Sequence, residues 1–307
     1  MDQQNDSTHV IHLRQISKGT GATLLAKLEG RNFGNLTAGR LAEHLICEAE
    51  KRGALQPGIE IVEASFGTTG VALAAAARQH GYKLSLVMPE TVDIERRNAF
   101  SAFGATVILS PAEDGLKGAL LLAEEIADAD PLKYFLPQKF KNPDNPEFHE
   151  KITGPELWNE TGGAIDVFVS AVGTGGTLTG VSRYIKNIRG KRIISVAVEP
   201  KESPVISQKL SGQTLKASPH RLVGVGAGFI PEALDLSLVD RVEQVSAEDA
   251  FDVALRLAKE EELTVDISSA AAVAVAERLA QLEGFADKTI VVILSAPADL
   301  PPSIARL

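Results

Sequence analysis

An α/β fold built from parallel sheets is predicted by two features of the 307-residue sequence. Short apolar runs rich in Val and Ile alternate with segments of helical spacing along almost the whole chain. Prolines and asparagines then cluster at 138–155, where we place a domain crossing. Alternation of this kind is typical of parallel twisted sheets flanked by helices, and the crossing divides them into two domains.

The individual elements follow from the same periodicity. β-branched apolar runs predict strands, and amphipathic spacing predicts helices. The predicted strands are 24–28, 59–63, 83–88, 106–109, 167–170, 193–198 and 290–294, and the predicted helices are 36–51, 70–80, 95–103, 116–126, 248–259 and 269–283. Residues 1–34 plus 146–307 form the larger predicted domain, and 35–145 form the smaller, mobile one.

Composition excludes several classes of function. The net charge of −9 and the lack of a Lys/Arg stripe argue against a nucleic-acid partner. One cysteine, Cys47, allows no internal disulfide, which fits a reducing compartment. No apolar run reaches membrane-spanning length, and the polar start carries no signal peptide. We therefore expect a cytoplasmic protein with no membrane contact.

The chemistry-bearing stretch is FVSAVGTGGTLTGVSRY at 168–184. An apolar run is followed by three glycines and two threonines, and then by helical spacing. Such a turn leaves backbone N–H groups uncovered at the positive end of a helix, which suits a phosphate or another small anion. An ordinary glycine-rich turn is the alternative interpretation. The predicted anion cradle consists of Gly173, Thr174, Gly175, Gly176 and Thr177.

Several long runs in order resemble the cysteine synthase (O-acetylserine sulfhydrylase) family. The resemblance covers nearly the whole chain and implies a tryptophan synthase β-like fold, that is, fold type II of the pyridoxal 5′-phosphate (PLP) enzymes. It also implies a homodimer, PLP held by a lysine Schiff base, and β-replacement on an activated serine. The runs are AEKRGALQPG at 49–58, GYKLSLVMPET at 81–91, NPDNPEFHEKITGPELW at 142–158, VGTGGTLTGVSRYIK at 172–186, VAVEP at 196–200 and GVGAGFIP at 224–231.

One departure from the family falls on its lysine. The family loop ends in Ser-Val-Lys-Asp-Arg, whereas the matching stretch here ends in Thr37-Ala38-Gly39-Arg40. Ala38 stands at the lysine position, and an alanine can neither form an imine nor move a proton. We therefore expect no covalently bound cofactor and no PLP Schiff base.

Further departures fall on loops that the resemblance places in the cleft. The family's Thr-Ser-Gly-Asn-Thr-Gly becomes SFGTTG at 65–70, its Gln-Gln-Phe becomes QKF at 138–140, and its Gly-Ile-Ser-Ser-Gly becomes DISSA at 266–270. Its closing Ser-Gly-Glu-Arg-Tyr is replaced at 295–302. Lys139 could take over the Schiff base, although a paired or solvated lysine is the favoured interpretation. The expected cleft and substrate-loop residues are Ser65, Phe66, Thr68, Thr69, Lys139, Gly226, Asp266 and Ser269.

Three functions remain open at this point. The first is a PLP-independent enzyme or a pseudoenzyme that binds a small anion in the old cleft. The second is a regulatory protein that grips a partner's peptide tail, as family members grip serine acetyltransferase. The third is residual PLP-dependent β-replacement.

No metal site is expected, because the six histidines show no ligand spacing. Cys47 is expected to be a buried structural thiol.

Overall fold

The structure, a computed structural model, describes residues 8–28 and 37–294. These residues form two compact units, a large unit of 8–28 and 139–294 and a small unit of 37–138. The sequence places the second domain crossing near 145, a few residues further along the chain. Each unit is a sheet flanked by helices, so the predicted α/β fold class is confirmed.

The large unit contains a six-stranded sheet in the order β1-β2-β10-β7-β8-β9. Only the pairing of β1 with β2 is antiparallel. The strands are β1 His9–His12, β2 Thr23–Leu28, β7 Val167–Ala171, β8 Ile194–Pro200, β9 Arg241–Val245 and β10 Thr289–Leu294. The α-helices are α5 Asp144–Phe148, α6 Gly154–Glu160, α7 Gly176–Arg183, α8 Val205–Leu210, α9 Ala247–Glu260 and α10 Ile267–Ala280, with a π-helical turn at His149–Thr153 between α5 and α6.

The small unit contains a four-stranded parallel sheet in the order β5-β4-β3-β6. Its strands are β3 Glu60–Ala64, β4 Leu84–Pro89, β5 Thr106–Ser110 and β6 Tyr134–Phe135, and its helices are α1 Thr37–Lys51, α2 Thr68–Gln79, α3 Ile94–Ala102 and α4 Gly115–Ala129. Gly67 directly precedes α2, and α4 begins at Gly115.

The central strands are apolar because both of their faces are covered. In β7, Val167 and Val169 belong to the cluster on one face of the sheet, and Phe168 belongs to the cluster on the other. This two-sided burial explains why β7 shows a continuous apolar run without polar alternation. No helix among the described residues is long and apolar enough to cross a membrane.

Short elements escaped the sequence prediction. The edge strands β1, β6 and β9 have partly exposed residues and no continuous apolar run. The proline-rich 138–155 stretch, predicted to be a loop with a short helix, continues through α5, the π-helical turn and α6 as one helical segment. Pro155 is the second residue of α6, which directly follows the π-helical turn at His149–Thr153, where the regular i→i−4 hydrogen-bond pattern is interrupted.

Candidate active site

The turn between β7 and α7 has the geometry of an anion cradle. β7 ends at Ala171, α7 begins at Gly176, and Gly175 between them is left-handed with φ +83°. A left-handed residue before the helix turns the backbone so that first-turn N–H groups face outward. Those N–H groups lie at the positive end of α7, where they stabilise negative charge.

Close packing also restricts the glycines of this turn. A Cβ on Gly173 would lie 2.5 Å from the carbonyl oxygen of Gly224, and one on Gly175 would lie 2.5 Å from Cβ of Leu234. A Cβ on Gly176 would collide with the amide of Asn145. Packing of the fold therefore requires these glycines whether or not the turn binds an anion.

Both threonine hydroxyls already have partners. Oγ1 of Thr174 accepts from Nδ2 of Asn145 at 3.0 Å and from the N–H of Gly176 at 3.4 Å. A threonine oxygen accepts two hydrogen bonds, so the O–H of Thr174 remains a donor. Oγ1 of Thr177 lies 3.2 Å from Nε2 of His149, a buried side chain in the π-helical turn. Hydrogen bonds with Asn145 and His149 thus hold the two threonine side chains of the cradle in place.

Asn145 also connects the cradle to Lys139. Its Nδ2 donates to the carbonyl oxygen of Lys139 at 2.8 Å as well as to Thr174. Lys139 is buried with 6% exposure, and its Nζ lies 5.0 Å from the centroid of the Phe140 ring. Phe140 in turn packs edge-on against Phe229 with the ring centroids 5.4 Å apart. The Lys139 amine therefore lies near an aromatic ring, and the Lys139 backbone is linked to the anion cradle through a single residue, Asn145.

Two more predicted residues, Gly226 and Asp266, belong to the large unit. Gly226 has φ +70°, and its N–H donates to the carbonyl oxygen of Val172 at 2.8 Å. Asp266 is the N-cap of α10 and accepts from the N–H of Ser269 at 2.8 Å. Its second oxygen accepts from the Ser268 hydroxyl at 3.0 Å. Capping therefore holds the Asp266 carboxylate and positions the buried Ser269.

The remaining predicted residues belong to the small unit. Ser65 directly follows β3 and is buried, while Phe66, Thr68 and Thr69 are half-buried at the start of α2. Gly67 caps α2 without a side-chain hydrogen bond. Ala38 is half-buried in the first turn of α1. The rest of the predicted loop, 32–36, and the replaced closing segment at 295–302 lie outside the described residues.

Cys47 differs from the expectation of a buried thiol. It is half-buried on α1, with Sγ 3.9 Å from Oε1 of Glu43. Burial raises the pKa of this thiol, and the carboxylates of Glu43 and Glu50 raise it further. A raised pKa keeps the sulfur protonated, so Cys47 by itself is not an activated nucleophile.

Comparison with known proteins agrees with this architecture. The family model described as "Pyridoxal-phosphate dependent enzyme" matches residues 1–296, and the chain belongs to that family. More narrowly, it is a homologue of the cysteine synthases with PLP fold type II. Cysteine synthase A of Escherichia coli (strain K12) is 52% identical over 293 residues, which is 95% of this chain and 90% of that protein.

Two solved structures are also similar. O-acetylserine sulfhydrylase isoform 3 from Entamoeba histolytica matches with a TM-score of 0.85 and 35% identity, covering 95% of this chain and 86% of that one. A lysine-to-alanine mutant of O-ureido-L-serine synthase, with O-ureido-L-serine bound, also matches with a TM-score of 0.85. It is 32% identical, over 96% of this chain and 88% of that one.

These matches correct the cofactor prediction. The expectation of no covalently bound cofactor and no PLP Schiff base, drawn from Ala38, is wrong, because the chain belongs to a PLP-dependent family and its relatives are cysteine synthases. The error was to infer the cofactor from one position. The placement of Ala38 at the lysine position stays a prediction, as do the homodimer and a partner's peptide tail.

Asn145 and His149 were missed as functional residues. Both lie within the NPDNPEFHEKITGPELW run that carries the resemblance, so a signal was present. Neither residue type suggests a phosphate site when it is read alone. Their role depends on the packing of the segment 144–160 behind α7, which brings residues about 30 positions apart into hydrogen-bonding distance.

Proposed function

We propose that this chain is a PLP-dependent enzyme of the cysteine synthase type, which replaces the β-substituent of an O-acetylserine-like amino acid. Lys139 takes the place of the lysine missing at position 38. The observation that carries the proposal is the link through Asn145, which donates to both Lys139 and Thr174. This link supports the proposal, because it joins the backbone of a buried lysine to the anion cradle in a chain 52% identical to a cysteine synthase.

The residues of the large unit fit the phosphate end of the cofactor. The first-turn N–H groups of α7 and the O–H of Thr174 would hold the phosphate. The buried Ser269, positioned by Asp266, would face the ring nitrogen. Bound PLP supplies an electron sink for the amino acid's α-carbon. In the small unit, the loop of Ser65, Thr68 and Thr69 offers N–H groups at the start of α2 that suit a carboxylate.

Lys139 has two properties that an imine-forming lysine requires. It is buried with 6% exposure, so bulk water is kept away from its side chain. Its backbone is also held by the Asn145 hydrogen bond, so its position relative to the cradle is set. In this role its Nζ would hold the cofactor and would accept the proton removed from the substrate's α-carbon. Phe140 and Phe229 exclude water from one side of that amine.

Reductive labelling tests the assignment. Protein incubated with PLP and then reduced with borohydride should carry one phosphopyridoxyl group, at Lys139, when it is mapped by mass spectrometry. Lys139→Gln should abolish this label and the synthesis of cysteine from O-acetylserine and sulfide. Lys133→Gln is the matched control, because Lys133 is an exposed lysine in the same region of sequence. A label at another lysine, or none at all, would refute the role of Lys139.

The cradle makes a separate prediction about cofactor affinity. Thr174→Val removes the hydroxyl donor while keeping the branched shape, and we expect it to weaken PLP binding about tenfold, since a hydrogen bond to a charged group contributes about 1.5–3 kcal/mol. Fluorescence titration with PLP measures this change. Thr161→Val is the control, because the Thr161 hydroxyl only caps α6. Equal affinities in wild type and Thr174→Val would show that the hydroxyl does not contact phosphate.

A further inference from the structure

We propose that Glu43, Cys47 and His80 of the small unit form a binding site for a zinc-like divalent metal ion. The sequence predicts no metal site, because Glu43 and His80 lie 37 residues apart and show no ligand spacing. The fold brings one ligand atom of each residue within 4.8 Å of the other two. This site is independent of the proposed PLP chemistry.

Two packed helices create the cluster. Glu43, Cys47 and Glu50 occupy one face of α1, because residues at spacings of four and three lie side by side on a helix. α1 packs against α2, whose C-cap residue is His80. The imidazole therefore meets the polar face of α1 at a fixed point, while Leu45, Ile46 and Ala49 bury the opposite face.

The distances suit a shared metal ion. Nε2 of His80 lies 2.6 Å from Oε1 of Glu43, and Sγ of Cys47 lies 3.9 Å from the same oxygen. Metal–ligand bonds to zinc are about 2.0–2.3 Å, so tetrahedral ligands lie roughly 3–4 Å from one another. Small side-chain rotations would open the Glu43–His80 pair enough to admit an ion between them.

Glu50 supplies the outer contact that metal-bound histidines usually have. Its Oε1 lies 3.3 Å from Nδ1 of His80 and accepts from the Tyr82 hydroxyl at 2.9 Å. A carboxylate that accepts from Nδ1–H leaves Nε2 unprotonated and directed at the metal. With Nδ1–H held by Glu50, a metal ion at Nε2 would displace the proton that Nε2 shares with Glu43 in the metal-free protein.

The ligand chemistry indicates the class of metal. Thiolate, imidazole and carboxylate together suit zinc or a similar borderline-soft ion, whereas calcium and magnesium prefer oxygen ligands alone. Thiolate and carboxylate would balance the charge of a divalent ion. The Glu43 side chain is 39% exposed and that of His80 is 18% exposed, so an ion can enter and a water can complete a fourth position.

Hydrogen bonding alone accounts for the His80–Glu43 and His80–Glu50 contacts. The Cys47 thiol also donates to Glu43, but at 3.9 Å this contact is at the outer limit for a hydrogen bond from sulfur. A metal ion would use all three side chains and would fasten α1 to the end of α2. These are the helices whose first turns carry Ala38 and Thr69, so the site would rigidify the framework of the small unit.

Cobalt and zinc titrations of the full-length protein test the site. Protein stripped of metal should bind one Co²⁺ and show thiolate-to-cobalt charge-transfer absorption in difference spectra, which cancel any cofactor absorption. Cys47→Ser should abolish that absorption. Calorimetric titration with Zn²⁺ should show affinity lowered at least about tenfold in Glu43→Gln and in His80→Gln. Glu48→Gln removes the same charge from another face of α1 and should leave affinity unchanged.

Two results would overturn the proposal. One is Co²⁺ absorption that persists in Cys47→Ser, which would show that the absorption does not come from a thiolate, because Cys47 is the single cysteine of the sequence. The other is zinc affinity that is equal in wild type, Glu43→Gln and His80→Gln, which would reduce the cluster to hydrogen bonds. Circular dichroism of each variant separates lost ligands from lost folding, because the three substitutions are close in size to the native residues.

Discussion

Replacing Ala38 by lysine and returning Lys139 to glutamine should raise the rate of cysteine synthesis by about 100-fold or more. The double variant restores the residue that the family carries at each of the two positions. A general base in correct position contributes about 10²–10⁴ to rate. In the natural chain the amine comes from Lys139, before α5, and not from position 38 on α1, so we expect turnover to be slower than in the variant.

Steady-state kinetics with O-acetylserine and sulfide measure the effect as kcat/KM. Ala38→Gln with Lys139→Gln is the matched control, because it adds a polar side chain at position 38 without an amine. That control should be inactive. Cysteine synthesis no faster in the lysine variant than in this control would show that position 38 is not the family's lysine position. In that case, borohydride labelling of the Ala38→Lys, Lys139→Gln variant should also leave position 38 without a phosphopyridoxyl group.

The cradle was predictable because it depends on local sequence. Glycines after a buried strand and before a helix specify both the turn and the exposed N–H groups. The sequence could not reveal that the glycines also have packing reasons, since their neighbours Gly224, Leu234 and Asn145 come from distant parts of the chain. For the same reason, Lys139 and the cradle looked unrelated until the fold placed Asn145 between them.

Long central strands were also predictable, whereas the edges of the sheets were not. Strands buried on both faces must be apolar, so β4, β7 and β10 are visible as continuous runs. An edge strand needs only one partner and tolerates polar residues, which removes the signal. The Glu43–Cys47–His80 cluster was not predictable for another reason. Its helix spacing is local, but the third ligand depends on how α1 packs on α2.

Mutation of Lys27, a buried lysine in an apolar strand, should have a large effect on the free energy of unfolding. Lys27 lies on β2 between β1 and β10 and has 0% exposure. Its Nζ lies 2.7 Å from Oε1 of Glu160 and 3.4 Å from Oε2 of Glu156, and it donates to the Thr8 hydroxyl at 2.9 Å. The two carboxylates lie four residues apart on α6, so both face the strand.

Lys27→Ala should lower the free energy of unfolding by about 3–5 kcal/mol, because it breaks a buried ion pair and leaves a cavity in place of the lysine stem. Urea unfolding followed by circular dichroism measures the loss. Lys27→Met keeps most of the stem volume, so it should cost less than Lys27→Ala. In a double-mutant cycle of Lys27→Met with Glu160→Gln, we expect a coupling energy of about 1–3 kcal/mol. Additive single effects, with no coupling, would mean that the lysine stabilises the sheet only by filling space between β2 and α6.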